Sequence, residues 1–242
     1  MTVALAPMPQ AHALFATRIG VCGLAWNQAA LVAVQLPELE LTQTRERMLR
    51  GLEKRHGQQP SHSHAVYPMA AAVVELPDWV CEAIGGVQQL LAGVLPSSDW
   101  DISAQAAARV QGVIGDLRPI WLKRQAQTQT LPQTLPDLCN LPLDEFGVSD
   151  FHRRVYAFTR ALAPGQTCTY GDVAGALGDM GLARAVGQAL GANPFAPVVP
   201  CHRVLAAGRQ PGGFSGGQGA ITKLRMLELE GGAWGGTRSL FE

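Results

Sequence analysis

Residues 193–215 read NPFAPVVPCHRVLAAGRQPGGFS and set Cys201 between a proline and a histidine. The Asn193-Pro194 pair is a turn signal, and Pro200 favours an extended backbone at the residue before it. We therefore expect a stiffened loop and a short strand, rather than a helix, to present the cysteine. A thiol held out in this way is a candidate nucleophile.

The surroundings of Cys201 set it apart from the other cysteines. Five cysteines without a pairing pattern, in a chain that opens without a secretory signal, predict reduced thiols. Nucleophilic chemistry needs a thiolate, and therefore a cation or a base close to the sulfur. His202 is adjacent, but successive side chains of an extended segment point to opposite faces, so a turn or a bridging water would have to connect the two. Structural roles are predicted for Cys22, Cys81, Cys139 and Cys168.

Length and composition are those of an ordinary globular protein. The 242 residues, 47% hydrophobic and 16% charged, suffice for two modest domains or one large one. No apolar run is long enough to cross a bilayer, and the first residues lack the basic start of a signal peptide. We therefore expect a soluble, cytoplasmic protein.

The net charge of zero hides an uneven distribution. Residues 146–242 carry nine Lys and Arg against six Asp and Glu, whereas residues 1–145 carry ten against thirteen. This surplus around the Cys201 motif is compatible with modest, salt-sensitive binding of nucleic acid through few phosphate contacts. Random scatter of charge explains the split about equally well.

The first half of the chain is patterned as a small α/β unit. A β-hairpin is predicted over Phe15–Pro37, with its turn at Asn27-Gln28. The other predicted elements are helices at 42–56, 79–95 and 103–125 and strands at 73–76 and 138–143. An uncharged stretch at 125–136, interrupted by prolines, is predicted to be a surface connector, with a domain boundary near Glu145.

The second half is patterned as helices. Ser149 can cap a first helix, and Thr169–Asp172 has the form of a capping box that opens a second one. After a turn at 178–181 a third helix covers 182–190, which completes the outline of a helix-turn-helix. A final helix is predicted over 222–230, ended by the two glycines that follow it.

The third of these helices carries small residues along one face. Ala183, Gly187 and Gly191 repeat every four positions, although glycine inside a helix costs about 1 kcal/mol relative to alanine. Close packing against a neighbouring helix would explain the pattern. Close approach to a nucleic-acid groove would explain it as well, and would give a role to Arg184 beside the small face.

The string Pro200-Cys201-His202-Arg203-Val204, with Asn193-Pro194 before it and Gly213-Phe214-Ser215-Gly216-Gly217 after it, closely resembles a known active-site signature. It is that of the O6-alkylguanine-DNA alkyltransferases, the methylated-DNA-protein-cysteine methyltransferases. The resemblance runs continuously from about residue 146 to residue 231, and is weak before that.

The resemblance implies a DNA-repair protein of the α+β class with two domains. Residues 1–145 would form a ribonuclease-H-like α/β domain. Residues 146–242 would form a mostly helical, winged-helix-like domain with the helix-turn-helix and the active-site cysteine. The partner would be double-stranded DNA carrying O6-alkylguanine, with O4-alkylthymine as an open alternative. A monomer would extrude the damaged nucleotide and transfer its alkyl group irreversibly to Cys201, once per molecule.

The resemblance also assigns roles to residues by position. His202, oriented by Glu230, would activate Cys201 through a water molecule, while Tyr170 would donate a proton to the departing guanine. Arg184 would enter the minor groove and fill the gap left by the extruded base. The predicted sets are catalytic Cys201, His202, Glu230 and Tyr170; DNA-binding Arg184, Ala183 and Gly187; and substrate-pocket Tyr170, Asn193, Val204, Phe214 and Ser215.

The resemblance also gives roles to Asn193 and Ser215. Asn193 would brace the active-site loop, Ser215 would contact the O6 side of the base, and Arg203 is predicted to be an ion-pair partner rather than a catalyst. Two features depart from the family pattern, because Phe214 stands where many members have tyrosine and the segment 216–223 looks longer than in many members. Both leave the range of alkyl groups open, but not the reaction.

The sequence predicts no metal and no cofactor. Some relatives hold zinc in the N-terminal domain, but His12, Cys22, His62 and His64 match no compact zinc spacing. The chain also lacks a phosphate-binding glycine loop and a dinucleotide fingerprint.

Two other classes of function stay open. A non-enzymatic sensor of DNA damage could use the same scaffold, although known examples of that kind replace the acceptor cysteine. A cysteine hydrolase could pair Cys201 with His202 and Asn193, but that hypothesis leaves Arg184 on a small-residue helix face unexplained.

Overall fold

A computed structural model describes residues 11–57, 76–92 and 135–235 of the chain. The predicted helix at 103–125 lies outside these ranges, as do nearly all of the predicted strand at 73–76 and most of the connector at 125–136. Within the described ranges no helix is both long and apolar enough to cross a membrane.

Three antiparallel strands form a sheet in the order β1-β2-β3. They are β1 Ala11–Thr17, β2 Gly20–Trp26 and β3 Leu31–Gln35. The predicted turn at Asn27 is confirmed, since its side-chain oxygen accepts hydrogen bonds from the backbone N–H groups of Ala29 and Ala30 at 3.0 and 2.9 Å. β1 begins four residues before the predicted hairpin. Every position of β1 is buried, so it lacks the polar alternation by which such a strand is recognised.

Helices cover both faces of this sheet, which is why its strands are buried throughout. Helix α1, Leu41–His56, places Met48 and Leu52 against one face, where they pack with Leu14 and Val32. Helix α2, Asp78–Ala92, packs a more extensive apolar surface against the opposite face, in the main core. Because successive strand residues point to opposite sides, each strand contributes to both cores.

The strand predicted at 138–143 is wrong for most of its length. Residues 139–140 form a turn, and only Leu143 bridges to Leu31 of β3. The physical reason is Arg160, whose guanidinium donates hydrogen bonds to the carbonyl oxygens of Leu138, Cys139 and Leu141. These acceptors would pair with a neighbouring strand if the segment were extended.

The predicted helices of the second half are confirmed, with small shifts at their ends. They are α3 Asp150–Arg160, α4 Tyr170–Ala176, α5 Ala183–Gly191 and α6 Ala220–Leu229. Ser149 caps α3 by accepting the N–H of His152, and Thr169 and Asp172 form the predicted capping box of α4. A 3-10 turn at Met180–Leu182 joins α4 to α5, and the two helices pack against each other.

The sheet and the second half meet at the segment that precedes Cys201. The N–H of Val34 in β3 donates a 2.8 Å hydrogen bond to the carbonyl of Pro194, and Val34 bridges to Phe195 in parallel. Phe195 is fully buried, and the guanidinium carbon of Arg55 lies 5.2 Å from the centre of its ring. β3 therefore supports the loop that leads to the cysteine.

This contact predicts a large effect of removing the Phe195 ring. Phe195→Ala should lower the free energy of unfolding by about 3–5 kcal/mol, because it leaves a cavity where the sheet meets the loop. Phe146→Ala is the matched control, since Phe146 is 43% exposed and its ring stacks on that of His56. Urea denaturation of both variants measures the difference, and equal losses would contradict the assigned role of Phe195.

Candidate active site

The loop before Cys201 is closed by the side chain of Asn193. Its amide donates to the carbonyl of Val199 at 2.8 Å, while its oxygen accepts the N–H of Phe195 at 3.0 Å. Pro200 then has φ −80° and ψ 65°, with the N–H of Cys201 bonded to the carbonyl of Val199 at 2.8 Å. This is an inverse γ-turn, whose central residue needs no N–H and therefore suits proline.

The backbone at Cys201 is a turn, where the sequence predicted an extended segment. Cys201–Arg203 forms a single 3-10 turn, and the predicted short strand, β5 Val204–Leu205, begins only after it. β5 pairs in parallel with β4, Cys168–Thr169. The turn is closed by the N–H of Arg203 bonding to the carbonyl of Pro200 at 2.9 Å. Cys201 and His202 therefore need not point to opposite faces.

Glu230 is the centre of a buried hydrogen-bond network. Its Oε1 lies 2.9 Å from Nε2 of His202, and Arg203 donates to both carboxylate oxygens at 2.9 and 2.8 Å. The N–H of Gly165 donates to Oε2 at 3.1 Å. The ion pair with Glu230 confirms the role predicted for Arg203, which also donates to the carbonyl of Leu162 at 2.5 Å.

The network determines how His202 and Glu230 are protonated. Burial alone would raise the pKa of Glu230, but His202 and Arg203 outweigh it and bring the pKa down to about 2. Burial lowers the pKa of His202, against the opposing effect of Glu230, so the imidazole is neutral at neutral pH. Since its Nε2 faces a carboxylate, that nitrogen carries the proton. Nδ1 is left as a bare acceptor, buried and without a hydrogen-bond partner in the described ranges.

Cys201 departs from the expectation of an ionised sulfur. The residue is only 6% exposed, and burial raises the pKa of its thiol above the ordinary value, although Asn193 and Lys223 act in the opposite direction. At neutral pH, and without a substrate, the thiol is therefore protonated. It needs a base to become a nucleophile, and the free Nδ1 of His202 is a base without a proton.

Lys223 was not found from the sequence and belongs to the same site. It lies on α6 with no exposed surface, and its Nζ donates to the carbonyl of Val204 at 2.6 Å. Nζ is also 5.6 Å from the ring centre of Tyr170 and 6.0 Å from that of Phe214. Burial lowers the pKa of Lys223 to about 8, against the opposing effect of Cys201. The signal was present, because Lys223 shares a helical stripe with the buried Met226 and Leu227.

A cavity of about 470 Å³ has Cys201 in its wall. This volume is in the range of small-molecule sites. Its walls come from the start of α4, from α5, and from residues 211–219, which we call the pocket loop. The lining residues are Tyr170, Ala183, Arg184, Gly187, Leu190, Gly191, Cys201, Gly213, Phe214 and Ser215.

Two residues predicted to line the pocket do not do so. Val204 is fully buried in β5, where its carbonyl holds Lys223. Asn193 supports the cysteine loop from within, as its two hydrogen bonds show. Of the other predicted pocket residues, Tyr170, Phe214 and Ser215 are all in the wall, and the hydroxyl of Tyr170 donates to the carbonyl of Gly213 at 3.4 Å.

The small-residue face of α5, with Ala183, Gly187 and Gly191, lies along this cavity. A methyl group added at Gly187 would meet only the ring of Tyr170, at 3.9 Å, and one added at Gly191 would meet no described atom within 4 Å. Close helix packing therefore does not explain these glycines. The exposed Arg184 lies on the same helix and also lines the cavity.

The basic surplus of the second half overstates the positive charge of the surface. Arg203 and Lys223 are buried, and Arg160 is bound to backbone carbonyls. Arg153 forms ion pairs with Asp150 and Glu145. These four basic residues therefore add little free positive charge to the surface, whereas Arg184 is exposed and lines the cavity.

The described ranges contain no cluster of three histidine, cysteine, aspartate or glutamate residues that could hold a metal ion. Of the four residues considered for zinc, His62 and His64 lie outside these ranges.

Comparison with known proteins finds relatives for the part of the chain that carries this site. Residues 150–232 match the model of the 6-O-methylguanine DNA methyltransferase, DNA binding domain. The methylated-DNA–protein-cysteine methyltransferase of Mycolicibacterium paratuberculosis is 45% identical over 80 residues, which cover 33% of this chain and 48% of that protein. The DNA base-flipping protein of Thermus thermophilus is 46% identical over 98 residues, which cover 40% of this chain and 63% of that protein.

A solved structure extends the likeness to the fold. The O6-methylguanine-DNA methyltransferase of Pyrococcus kodakaraensis matches with a TM-score of 0.52 and 22% identity, over 91% of this chain and 99% of the other. The mixed α/β fold is thus shared. The aligned part spans about half the length of the first curated relatives. Residues 150–232 therefore resemble the DNA-binding domain of the methylated-DNA–protein-cysteine methyltransferases.

The pKa of Glu230 predicts how acid destabilises the protein. A carboxyl group whose pKa is lower in the folded than in the unfolded protein stabilises the fold at pH values above the unfolded pKa. This stabilisation is lost as the pH falls to the folded pKa. Above pH 5, Glu230→Gln should be less stable than the wild type by about 3 kcal/mol or more, and the difference should shrink as the pH falls from about 4.5 towards about 2.

Denaturant titrations across this pH range measure the difference. Glu46→Gln is the control, because the ion pair of Glu46 with Arg50 on α1 is exposed. A stability difference for Glu230→Gln that does not change with pH would exclude an ionised, network-bound Glu230.

Proposed function

We propose that this protein repairs duplex DNA by transferring the alkyl group of O6-alkylguanine to the sulfur of Cys201. The observation that carries the proposal is a cavity whose wall holds Cys201 together with Tyr170 and Arg184. The cavity and the His202–Glu230 pair behind it fit the methyltransferase activity named for the relatives. The thioether product is stable, so each molecule would act once.

The proton of the thiol would leave through His202. Nδ1 of His202 is an unpartnered buried acceptor next in sequence to Cys201, and a bridging water fits such a polar site. Glu230 would stabilise the imidazolium that forms, as a carboxylate does behind a catalytic histidine. The activated sulfur then attacks the alkyl carbon, so that an S–C bond forms while the C–O6 bond breaks.

Guanine departs more easily if it receives a proton. The hydroxyl of Tyr170 is at the cavity wall and would donate that proton, to be replenished later from solvent. Burial raises the pKa of Tyr170, with a smaller contribution from the negative charge of an ionised Cys201. Lys223, 5.6 Å from the tyrosine ring, would stabilise the phenolate that remains. We include Lys223 in the catalytic set for this reason.

The target base must first leave the stack, at a cost of a few kcal/mol. We propose that α5 approaches the minor groove by its glycine face, where Ala183 and Gly187 give the least obstruction, and that Arg184 fills the vacated position. Ser215 and Phe214 would contact the extruded base in the pocket. Asn193 and Val204 would act indirectly, by holding the cysteine loop and Lys223.

The finer architecture is part of the proposal. We place the domain boundary near residue 145, with a ribonuclease-H-like domain before it and a winged-helix-like domain from 146 to 242. The sheet of three antiparallel strands and the helix-turn-helix outline of α4 and α5 are consistent with these assignments. We expect a cytoplasmic monomer that binds double-stranded DNA without a cofactor.

A non-enzymatic damage sensor is the second candidate, because one relative is named a DNA base-flipping protein. The presence of Cys201 in the cavity wall favours the transferase.

Methyl transfer separates these functions. After incubation with a duplex containing O6-methylguanine, the peptide with Cys201 should carry one added methyl group, the DNA should contain unmodified guanine, and Cys201→Ala should bind the duplex without transfer. Peptide mass spectrometry and nucleoside analysis measure both products. Binding without transfer by the wild type would support the sensor, and transfer that persists in Cys201→Ala would mean that another thiol is the acceptor.

Arg184 should matter only when a base must be extruded. Arg184→Ala should slow transfer from duplex DNA at least about tenfold. This factor corresponds to about 1.4 kcal/mol of activation free energy, which is a modest share of the cost of unstacking a base. It should leave the reaction with free O6-benzylguanine within about twofold, since that substrate needs no extrusion. Single-turnover kinetics with both substrates test this. Equal slowing of the two reactions would rule out a role for Arg184 in extrusion.

A further inference from the structure

The pocket loop contacts the first half of the chain through a residue far away in sequence. Arg47 of α1 donates a short hydrogen bond from Nη2 to the carbonyl of Ser215. Its Nη1 forms an ion pair with Oε1 of Glu38 at 2.6 Å. The hydroxyl of Ser215 donates to the carbonyl of Gly191 at 3.0 Å, so Ser215 is held from two sides.

Glu38 is itself fixed in position. Its N–H donates to the hydroxyl of the fully buried Thr44 at 2.9 Å, and its carboxylate accepts from the side chain of Gln35 at 3.3 Å. Its side chain is 17% exposed, against 40% for Arg47. The carboxylate therefore presents a defined partner, and it orients the planar guanidinium so that the second nitrogen reaches Ser215.

The two glycines after Ser215, Gly216 and Gly217, let the pocket loop approach residues 36–37 closely. A methyl group added at Gly216 would lie 2.9 Å from the side chain of Leu36, and one added at Gly217 would lie 2.8 Å from the carbonyl oxygen of Pro37. Gly217 also has φ +51°, in the left-handed region. The segment between β3 and α1 is thus packed directly against the pocket loop.

We propose that Arg47 is a positioning residue, which holds the pocket loop in place for the extruded base. Three residues of that loop, Gly213, Phe214 and Ser215, line the cavity, whereas Arg47 itself does not. The contact would set the shape of the pocket rim without touching the reacting atoms. This proposal rests on the proposed function for its substrate, but the contact can be tested without it.

Single-turnover reaction with free O6-benzylguanine tests the effect on the pocket, because this probe needs no DNA. Arg47→Met should raise the half-saturating concentration about fivefold, as expected for loss of a hydrogen bond to a charged group. The maximal rate should stay within about twofold, since Cys201, His202 and Glu230 are untouched. Arg47→Lys should recover part of the loss, because an ammonium keeps the charge but not the planar two-sided geometry.

Arg50→Met is the matched control. Arg50 lies on the same helix and pairs with Glu46, at 3.4 Å and in an exposed position. Its half-saturating concentration should equal that of the wild type. A fall in maximal rate for Arg47→Met with an unchanged half-saturating concentration, or the same loss in Arg50→Met, would overturn the proposal.

Hydrogen exchange tests the same contact without any substrate. Peptides covering residues 213–219 should exchange faster in Arg47→Met than in the wild type, while those of α6 should not change. Unaltered exchange in the pocket loop would overturn the positioning role. A wild type that transfers no methyl group from O6-methylguanine in duplex DNA would refute the proposed function, and the exchange experiment would still decide whether Arg47 holds the loop.

Discussion

The site depends on one buried carboxylate, that of Glu230. Its two oxygens are bound by His202, Arg203 and the N–H of Gly165, and these donors come from two separate segments of the chain. Breaking a buried ion pair of this kind costs several kcal/mol, because it leaves an unpaired charge in the interior. Glu230 thereby joins the end of α6 to the turn that carries the cysteine, and it fixes which ring nitrogen of His202 bears the proton.

The first half of the chain supports the site at two points. β3 bonds to Pro194 at the base of the cysteine loop, and Arg47 reaches Ser215 in the pocket loop. The region matched by the family model, residues 150–232, contains both loops. It contains neither β3 nor Arg47, which contact these loops. In this chain, therefore, residues outside the matched region contact both loops of the site.

Much of the site could be predicted from the sequence, because short-range signals specify it. The cap of α3, the capping box of α4 and the turn at Asn27 all depend on residues within four positions of one another. The motif around Cys201 led by resemblance to Tyr170, Arg184 and Ser215, which the structure brings into one cavity wall.

The rest depends on contacts between distant residues. Arg160 bonds to the carbonyls of residues 138–141 and so replaces the predicted strand with a turn. The raised pKa of Cys201 follows from burial, which sequence does not specify for a single thiol. Lys223 could have been noticed as a charge in an apolar helical stripe, but its partner, the carbonyl of Val204, could not. Arg47 and Ser215 are 168 positions apart, and no local pattern connects them.

The protonation state of Cys201 also determines how readily its sulfur is oxidised while no substrate is bound. Peroxides oxidise thiolates, through sulfenic acid and onwards, much more readily than they oxidise thiols. Burial that keeps the proton on Cys201 therefore shields it from oxidants. A permanently ionised sulfur would be a faster nucleophile, but it would also be lost more readily to oxidation.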